Sequence, residues 1–171
     1  DAQGRTTDVA VIAGQLQNAS APLAPPPHSW AAQADADVAI WTVRMDAGAP
    51  TTLPPAAGVV TQRTLYFFKG GSATVAGERL QGHAAIGLQA NTAVELAAGD
   101  TETEFLMLQG RPIAEPVAQH GPFVMNTRQE IMQAFDDYQR TQFGGWPWGD
   151  SGPVHSREVQ RFGRHRDGRT E

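Results

Sequence analysis

The sequence contains no cysteine, so neither disulfides nor thiolate metal ligands can contribute to its fold or chemistry, although this absence fits any redox compartment. It also lacks any run near the ~18 apolar residues of a membrane span, and no charged-then-apolar leader is visible. A cytoplasmic location without membrane association is the expectation. Basic charge is scarce: 13 Lys and Arg stand against 18 Asp and Glu, for a formal charge of -5. That balance argues against nonspecific nucleic-acid binding. Helix-period patterning is sparse before residue 127. No Gly-x-Ser-x-Gly elbow, phosphate-binding loop or Gly-x-Gly-x-x-Gly fingerprint occurs.

What is present suits a globular β protein. A chain of 171 residues, 40% hydrophobic, can bury a core without covalent staples. Its 18 Gly and 12 Pro break the apolar residues into short, β-rich segments. These are Val9 to Ala13, Val38 to Met45, Thr64 to Phe68, Ala73 to Val75, Ala84 to Leu88, Ala93 to Leu96 and Glu104 to Leu108. Many short strands divided by turn residues predict a sandwich or barrel, not a βαβ sheet. In Leu65-Tyr66-Phe67-Phe68 both alternating faces are apolar, which predicts a strand packed on both sides. Gly70-Gly71 followed by Ser72 to Val75 reads as a hairpin.

Two stretches read as irregular. Asn18 to Ser29 includes Pro25-Pro26-Pro27 and fits an extended surface connector, because proline donates no ladder hydrogen bond. Pro50 to Gly58, with Pro54-Pro55, reads as a long loop. One helix is well signalled, opening on the capping-box pattern Thr127-Arg128-Gln129-Glu130. Ile131, Phe135 and Tyr138 follow at helical spacing, with Met132 widening the stripe, and Gly144-Gly145 and Pro147 end it. The segment from Gly149 to Glu171 is poor in apolar residues and reads as a flexible tail.

The run Gly110-Arg111-Pro112-Ile113-Ala114-Glu115-Pro116-Val117-Ala118-Gln119-His120-Gly121-Pro122-Phe123-Val124-Met125-Asn126-Thr127 resembles the C-terminal signature of the pirin family. Its continuation through Glu130-Ile131, Gln133-Ala134, Tyr138-Gln139 and Phe143-Gly144-Gly145-Trp146-Pro147 resembles it too. A weaker likeness reaches back to Val9-Ala10-Val11-Ile12-Ala13-Gly14, so the resemblance spans most of residues 8–148. It implies an all-β fold, a cupin-type jelly-roll barrel with one C-terminal α-helix and an irregular tail. The expected parts are an interdomain strand and Pro-rich connector over 1–35, the barrel over 36–126, the helix and Trp-Pro-Trp segment over 127–148, and the tail over 149–171.

Pirins are bicupins that hold a mononuclear metal in the first half; some resemble quercetin 2,3-dioxygenases, and animal members act as nuclear transcription cofactors. The chain opens on Asp1 and reads like the interior of a longer polypeptide matching the second half. The resemblance therefore implies a mononuclear divalent metal, with iron expected, in an N-terminal half outside this sequence. That half is the expected partner, with a regulatory protein as a further one.

The residues themselves offer little chemistry. A cupin metal site needs convergent imidazoles and a carboxylate. Its footprint is Gly, five residues, His-x-His, a short gap, Glu, six residues, Gly. Counting from Gly48 puts the two His positions on Pro54 and Ala56, and counting back from Gly70 puts the Glu position on Arg63. Pro and Ala cannot ligate, a fixed cation repels a divalent ion, and the gap is too long. No metal, cofactor or catalytic residue is therefore assigned to this chain.

The five histidines, His28, His83, His120, His155 and His165, show no ligand spacing. His28 reads as a surface residue, His83 as structural or exposed, His120 as fixing its turn by hydrogen bonding, and the last two as solvated. Asp136-Asp137 are neighbours on a helix and point about 100° apart, a poor acid/base pair. Glu102 and Glu104 share a strand face and read as solvent-exposed. Arg157, Arg161, Arg164, Arg166 and Arg169 are interleaved with Glu158, Asp167 and Glu171, which weakens any phosphate-binding patch. Packing of Arg161-Phe162 onto another domain is the stronger reading there. Trp146-Pro147-Trp148 is surplus apolar surface, worth ~2–3 kcal/mol per buried ring, expected to cover the barrel or dock on the first half.

Three functional readings follow: a metal-free half supporting a dioxygenase-like partner half, an interaction module for a regulatory protein, and a small-molecule binder. The last would use a cavity lined by Leu65, Phe67, Phe105 and Met107.

Overall fold

The computed structural model describes residues 1–149 together with 163, 165 and 167–169. Two compact units divide the chain, Asp1–Ile113 and Ala114–Glu171. The first is a jelly-roll sandwich. Its five-stranded sheet has the order β1-β2-β9-β4-β7. These strands are β1 (Thr7–Ala13), β2 (Ala39–Met45), β4 (Gln62–Lys69), β7 (Ala84–Leu88) and β9 (Thr103–Gly110). The four-stranded sheet has the order β3-β8-β5-β6. It comprises β3 (Pro50–Leu53), β5 (Ser72–Val75), β6 (Glu78–Gln81) and β8 (Val94–Ala98).

Period-two alternation builds the core. β2 turns Ala39, Trp41, Val43 and Met45 inward, β9 turns Thr103, Phe105 and Met107 inward, and β4 turns Leu65 and Phe67 inward. Leu53, Ala73, Val75, Val94 and Leu96 meet them from the opposite sheet. Register locks the arrangement, since Trp41 pairs with Met107 and Met107 with Leu65 across three adjacent strands. Tyr66 and Phe68, on the other face of β4, are 38% and 44% exposed, so two-sided packing of that strand is not met among the described residues.

Gly70-Gly71 is not a hairpin. β4 pairs with β7 and β9, whereas β5 pairs with β6 and β8, so the two glycines carry the chain from one sheet to the other. Gly70 has φ +120°, and a Cβ there would lie 2.9 Å from Thr103 Oγ1, which excludes a side chain from this corner. The hairpin lies one strand later, where Ala76 (φ 49°) and Gly77 (φ 84°) join β5 to β6 with two left-handed residues. Pro50 to Gly58 is only partly loop. Pro50 begins β3 on a sheet edge, where no ladder donor is needed at that position.

β1 is part of the first sheet, pairing with β2 from Thr7↔Met45 to Ala13↔Ile40. Asp46 secures its start: the Thr6 N–H and hydroxyl both donate to Asp46 Oδ2, at 2.7 and 2.8 Å. The connector after β1 is irregular and largely exposed, as its prolines imply. It ends in a 3-10 turn, Trp30–Ala32, clipped to the end of β9. There the Arg111 guanidinium lies 4.4 Å over the Trp30 ring, Trp30 Nε1 donates to Arg111 O at 3.1 Å, and Arg111 pairs with Asp35 at 2.8 Å.

The second unit holds the hairpin of β10 (Ala118–His120) and β11 (Phe123–Met125) and the helix α1 (Arg128–Thr141). The boundary after Ile113 differs from the 126/127 division read from sequence, because β10 and β11 pack on α1. The capping box forms as the pattern implies. Thr127 Oγ1 accepts from Glu130 N at 3.2 Å, and Glu130 Oε2 accepts from Thr127 N at 2.7 Å. Ile131 and Ala134 are buried, whereas Met132 is 69% exposed and does not widen the buried stripe. Phe123 gathers the aromatic rings of Phe135, Tyr138 and Phe143 at centroid distances of 4.9, 6.2 and 6.0 Å.

Candidate functional site at the barrel mouth

The inward faces of β4 and β9 do not stay apolar to their ends. Two residues beyond Leu65 the alternation reaches Arg63, and two beyond Met107 it reaches Gln109; these two pair with each other, and Gln109 pairs with Ala39. Polar side chains thus cap the apolar interior at one end of the sandwich.

Arg63 is 3% exposed. Its Nη2 donates to Pro54 O at 2.7 Å and its Nη1 to Thr92 O at 3.3 Å, while Nε has no partner among the described residues. Burial pushes the guanidinium below its ordinary pKa, and the nearby Asp37 charge opposes this in part. Asp37 is a hub. Its Oδ2 accepts from Gly58 N at 3.0 Å and from the Thr61 hydroxyl at 2.5 Å, and its Oδ1 accepts from Gln109 Nε2 at 2.9 Å. A Cβ on Gly58 would lie 2.9 Å from Thr61 Oγ1, so the loop can wrap the carboxylate only with glycine there.

The residues at the cupin ligand positions therefore do come together, but as a guanidinium on a backbone carbonyl. Pro54 offers Arg63 its carbonyl oxygen, and Ala56 donates its backbone N–H to Ala90 O at 2.7 Å. This donor set does not fit a divalent cation. Among the described residues, no group of three or more His, Asp and Glu is placed to hold a metal.

Beside this polar row lies a cavity of about 380 Å³ lined by Asp37, Val38, Trp41, Pro54, Pro55 and Gln109, among others. Two of its walls carry unpartnered buried atoms. Trp41, 2% exposed, has no partner for Nε1 among the described residues, and Gln109 has none for Oε1. Asp37, Trp41 and Gln109 belong to no motif in the sequence. The one signal they leave is the period-two pattern itself: on β9, Phe105-x-Met107-x-Gln109 places a polar side chain on an inward face.

Leu65, Phe67, Phe105 and Met107 are no more than 1% exposed and pack together, with the Phe67 and Phe105 rings 5.3 Å apart. They form solid core, not cavity wall. His83 is exposed and meets Phe67 edge-on at 5.9 Å. His120 sets its ring edge-on to Phe135 at 5.5 Å, a ring contact in place of the turn-fixing hydrogen bond that its position suggests. His28 is exposed.

Glu102 and Glu104 both pair with Lys69, at 2.7 and 2.6 Å, which raises the lysine pKa through these hydrogen bonds. Asp137 accepts from Arg140, whose hydrogen bond holds its carboxyl below the usual range, while Asp136 is exposed. Trp146 and Trp148 meet at 4.5 Å, with Trp146 still 56% exposed. The backbone N–H of His165 donates to Arg169 O at 2.9 Å. His155, Arg157, Arg161, Phe162, Arg164 and Arg166 lie outside the described residues.

Comparison with known proteins places these features. The Pirin C-terminal cupin domain matches residues 40–144. A pirin-like protein of Caulobacter vibrioides is 63% identical over 43 residues, covering 25% of this chain and 16% of that protein. A putative quercetin 2,3-dioxygenase of Pseudomonas aeruginosa is 39% identical over 84 residues, covering 45% of this chain and 28% of the other. Among solved structures, a quercetin 2,3-dioxygenase from Acinetobacter baumannii superposes with a TM-score of 0.63 at 28% identity, over 84% of this chain. The match takes in 49% of that structure, so this chain corresponds to about half of it. Among the described residues, no helix is long and apolar enough to cross a membrane.

Proposed function

The chain belongs to the pirin family, through that family's C-terminal cupin domain, and from this footing we propose that it is a metal-free half supporting a metal-bearing N-terminal cupin half of the same protein. The carrying observation is Arg63, buried at the expected carboxylate position and bonded to the carbonyl of Pro54 at the expected imidazole position. A buried cation costs several kcal/mol beside a second unscreened cation, so a divalent ion is disfavoured at this mouth. The half-exposed Tyr66 and Phe68 on the outer face of the first sheet supply apolar area for a neighbouring domain. By family likeness the parent reaction is metal-dependent dioxygenation of a flavonol-like substrate in a cytoplasmic protein, with the metal, expected to be iron, in the other half.

The test uses the purified chain loaded with Fe(II), Ni(II) or Mn(II) and desalted. Elemental analysis should give no stoichiometric metal, and quercetin should not turn over; stoichiometric metal or turnover would refute the proposal.

A second reading, as a surface for a regulatory protein, draws support from the exposed Val117, Val124, Met132 and Phe143 of the second unit. Val124→Glu and Met132→Glu substitutions that abolish partner capture from a defined mixture, with the circular dichroism spectrum retained, would favour that reading.

A further inference from the structure

The end of β1 and the start of β2 already meet. Ala13 pairs with Ile40, and a Cβ on Gly14 would lie 2.8 Å from that of Ala39. A hairpin loop of about two to five residues closes such a pair. Here residues 14–38 intervene, with one 3-10 turn among them. That is well past the ~12–15 residues beyond which a loop in a compact domain is characteristically functional. The proline-rich part of this loop has no gap to bridge, so its stiffness is not explained by spacing.

The run is instead held out and open. Pro22, Pro25 and Pro26 fix φ near about −65°, and Ala21, Ala24 and Pro25, each preceding a proline, are driven to extended ψ. Together they favour a polyproline II path over residues 21–26. A turn locks the far end, where the Ser29 N–H and hydroxyl donate to Pro26 O at 3.0 and 2.7 Å. At the near end Ala19 N–H donates to Leu16 O at 3.1 Å, and Leu16 packs on the core. Between these anchors residues 20–25 make no hydrogen bond among the described residues. Apart from half-buried Pro22 they are exposed, Leu23 at 79%. A cavity of about 450 Å³ opens between the run and Ile12, Ala13 and Val38.

At three residues per turn, Leu23 and Pro26 share one ridge of such a path, and Pro22 and Pro25 share another. Ridges of this kind fit shallow aromatic grooves, and a backbone already set in place has little entropy to lose on binding. The unbonded carbonyls call for indole N–H or phenol O–H donors. No Asp, Glu, Lys or Arg occurs in residues 9–34, so the groove needs no charged pocket and its grip does not depend on salt. We infer that residues 21–26 are a docking site for a protein module whose uncharged groove, lined by Trp and Tyr, reads a polyproline II chain. The surface lies in the first unit and is independent of the metal-free assignment.

The test titrates the full 15N-labelled chain with a purified WW domain and a purified EVH1 domain, both with aromatic grooves, and with an SH3 domain that carries an acidic pocket beside its groove. Saturable shifts of the Ala21, Leu23 and Ala24 amides are expected with the WW or the EVH1 domain. Kd should lie below about 1 mM and change little between about 0.05 and 0.5 M salt. The double variant Pro25→Ala/Pro26→Ala should bind about tenfold more weakly, as should Leu23→Asp. Thermal melting of each variant separates lost binding from lost folding, and if one melts early the other carries the comparison. No saturable shift with the WW or EVH1 domain up to about 1 mM overturns the inference. So does unchanged affinity in the variants, tighter binding by the SH3 domain, or a loss of about tenfold or more in salt. Metal analysis is a separate measurement, so failure here leaves the metal-free assignment standing.

Discussion

β4 and β9 each run from a close-packed floor to a polar mouth, and the two ends of the same strands obey different physics. At the floor Leu65, Phe67, Phe105 and Met107 interlock with almost no exposed surface. At the mouth Arg63 and Gln109 are held by directional bonds to Pro54, Thr92 and Asp37, beside a cavity. The floor is stabilised by area and shape, the mouth by hydrogen-bond geometry. The packing that holds the sandwich together therefore lies at the floor and does not depend on which side chains the mouth carries.

Truncation at the floor should produce the largest effect. Phe105→Ala should lower unfolding free energy by about 3–5 kcal/mol in urea denaturation, through lost transfer energy and the cavity left behind. A cost below about 1 kcal/mol would show the floor to be loosely packed and remove the contrast. At the mouth, Asp37→Ala strands the Gly58 N–H, the Thr61 hydroxyl and the Gln109 amide. A loss of about 2–3 kcal/mol is expected by the same measurement, with faster amide exchange at Gly58.

Outside both regions, Asp46 supplies a pH-dependent contribution. Its carboxyl is held below the usual range chiefly by the Thr6 backbone N–H and then by the Thr6 hydroxyl. A folded pKa below the unfolded one gives stability that is present above the unfolded value and lost as pH falls through the folded value. Acid unfolding followed by circular dichroism should therefore show a step below about pH 4 that Asp46→Asn flattens. The smallest effect belongs to Lys69→Ala. Its pairs with Glu102 and Glu104 are solvent-exposed, so a change under about 0.5 kcal/mol is expected, shrinking further in salt.

The floor is legible in the sequence because large apolar residues alternating at period two, as in Phe105-x-Met107 and Leu65-x-Phe67, can share one buried face only in an extended strand. The helix start is legible because Thr127 and Glu130 satisfy each other locally. Strands β3 and β6 are not, since Pro50 and the polar run Glu78-Arg79-Leu80-Gln81 mark edges, where neither burial nor hydrophobicity is required. The sheet-to-sheet corner at Gly70-Gly71 carries the same glycine signal as a hairpin, and only the pairing of its flanking strands distinguishes them. At the mouth, Arg63 can be placed by counting from Gly70. Asp37 cannot, because its partners at Gly58, Thr61 and Gln109 are 21, 24 and 72 residues away. A hub assembled from such distant positions leaves no local pattern.

The clip of Trp30 and Asp35 on Arg111 has a practical consequence. It anchors the far end of the proline-rich run to the close of β9, while the near end is held by the pairing of β1 with β2. A protease that severs the run between residues 18 and 28 would release no fragment: the nicked molecule would elute as one species and come apart only in denaturant.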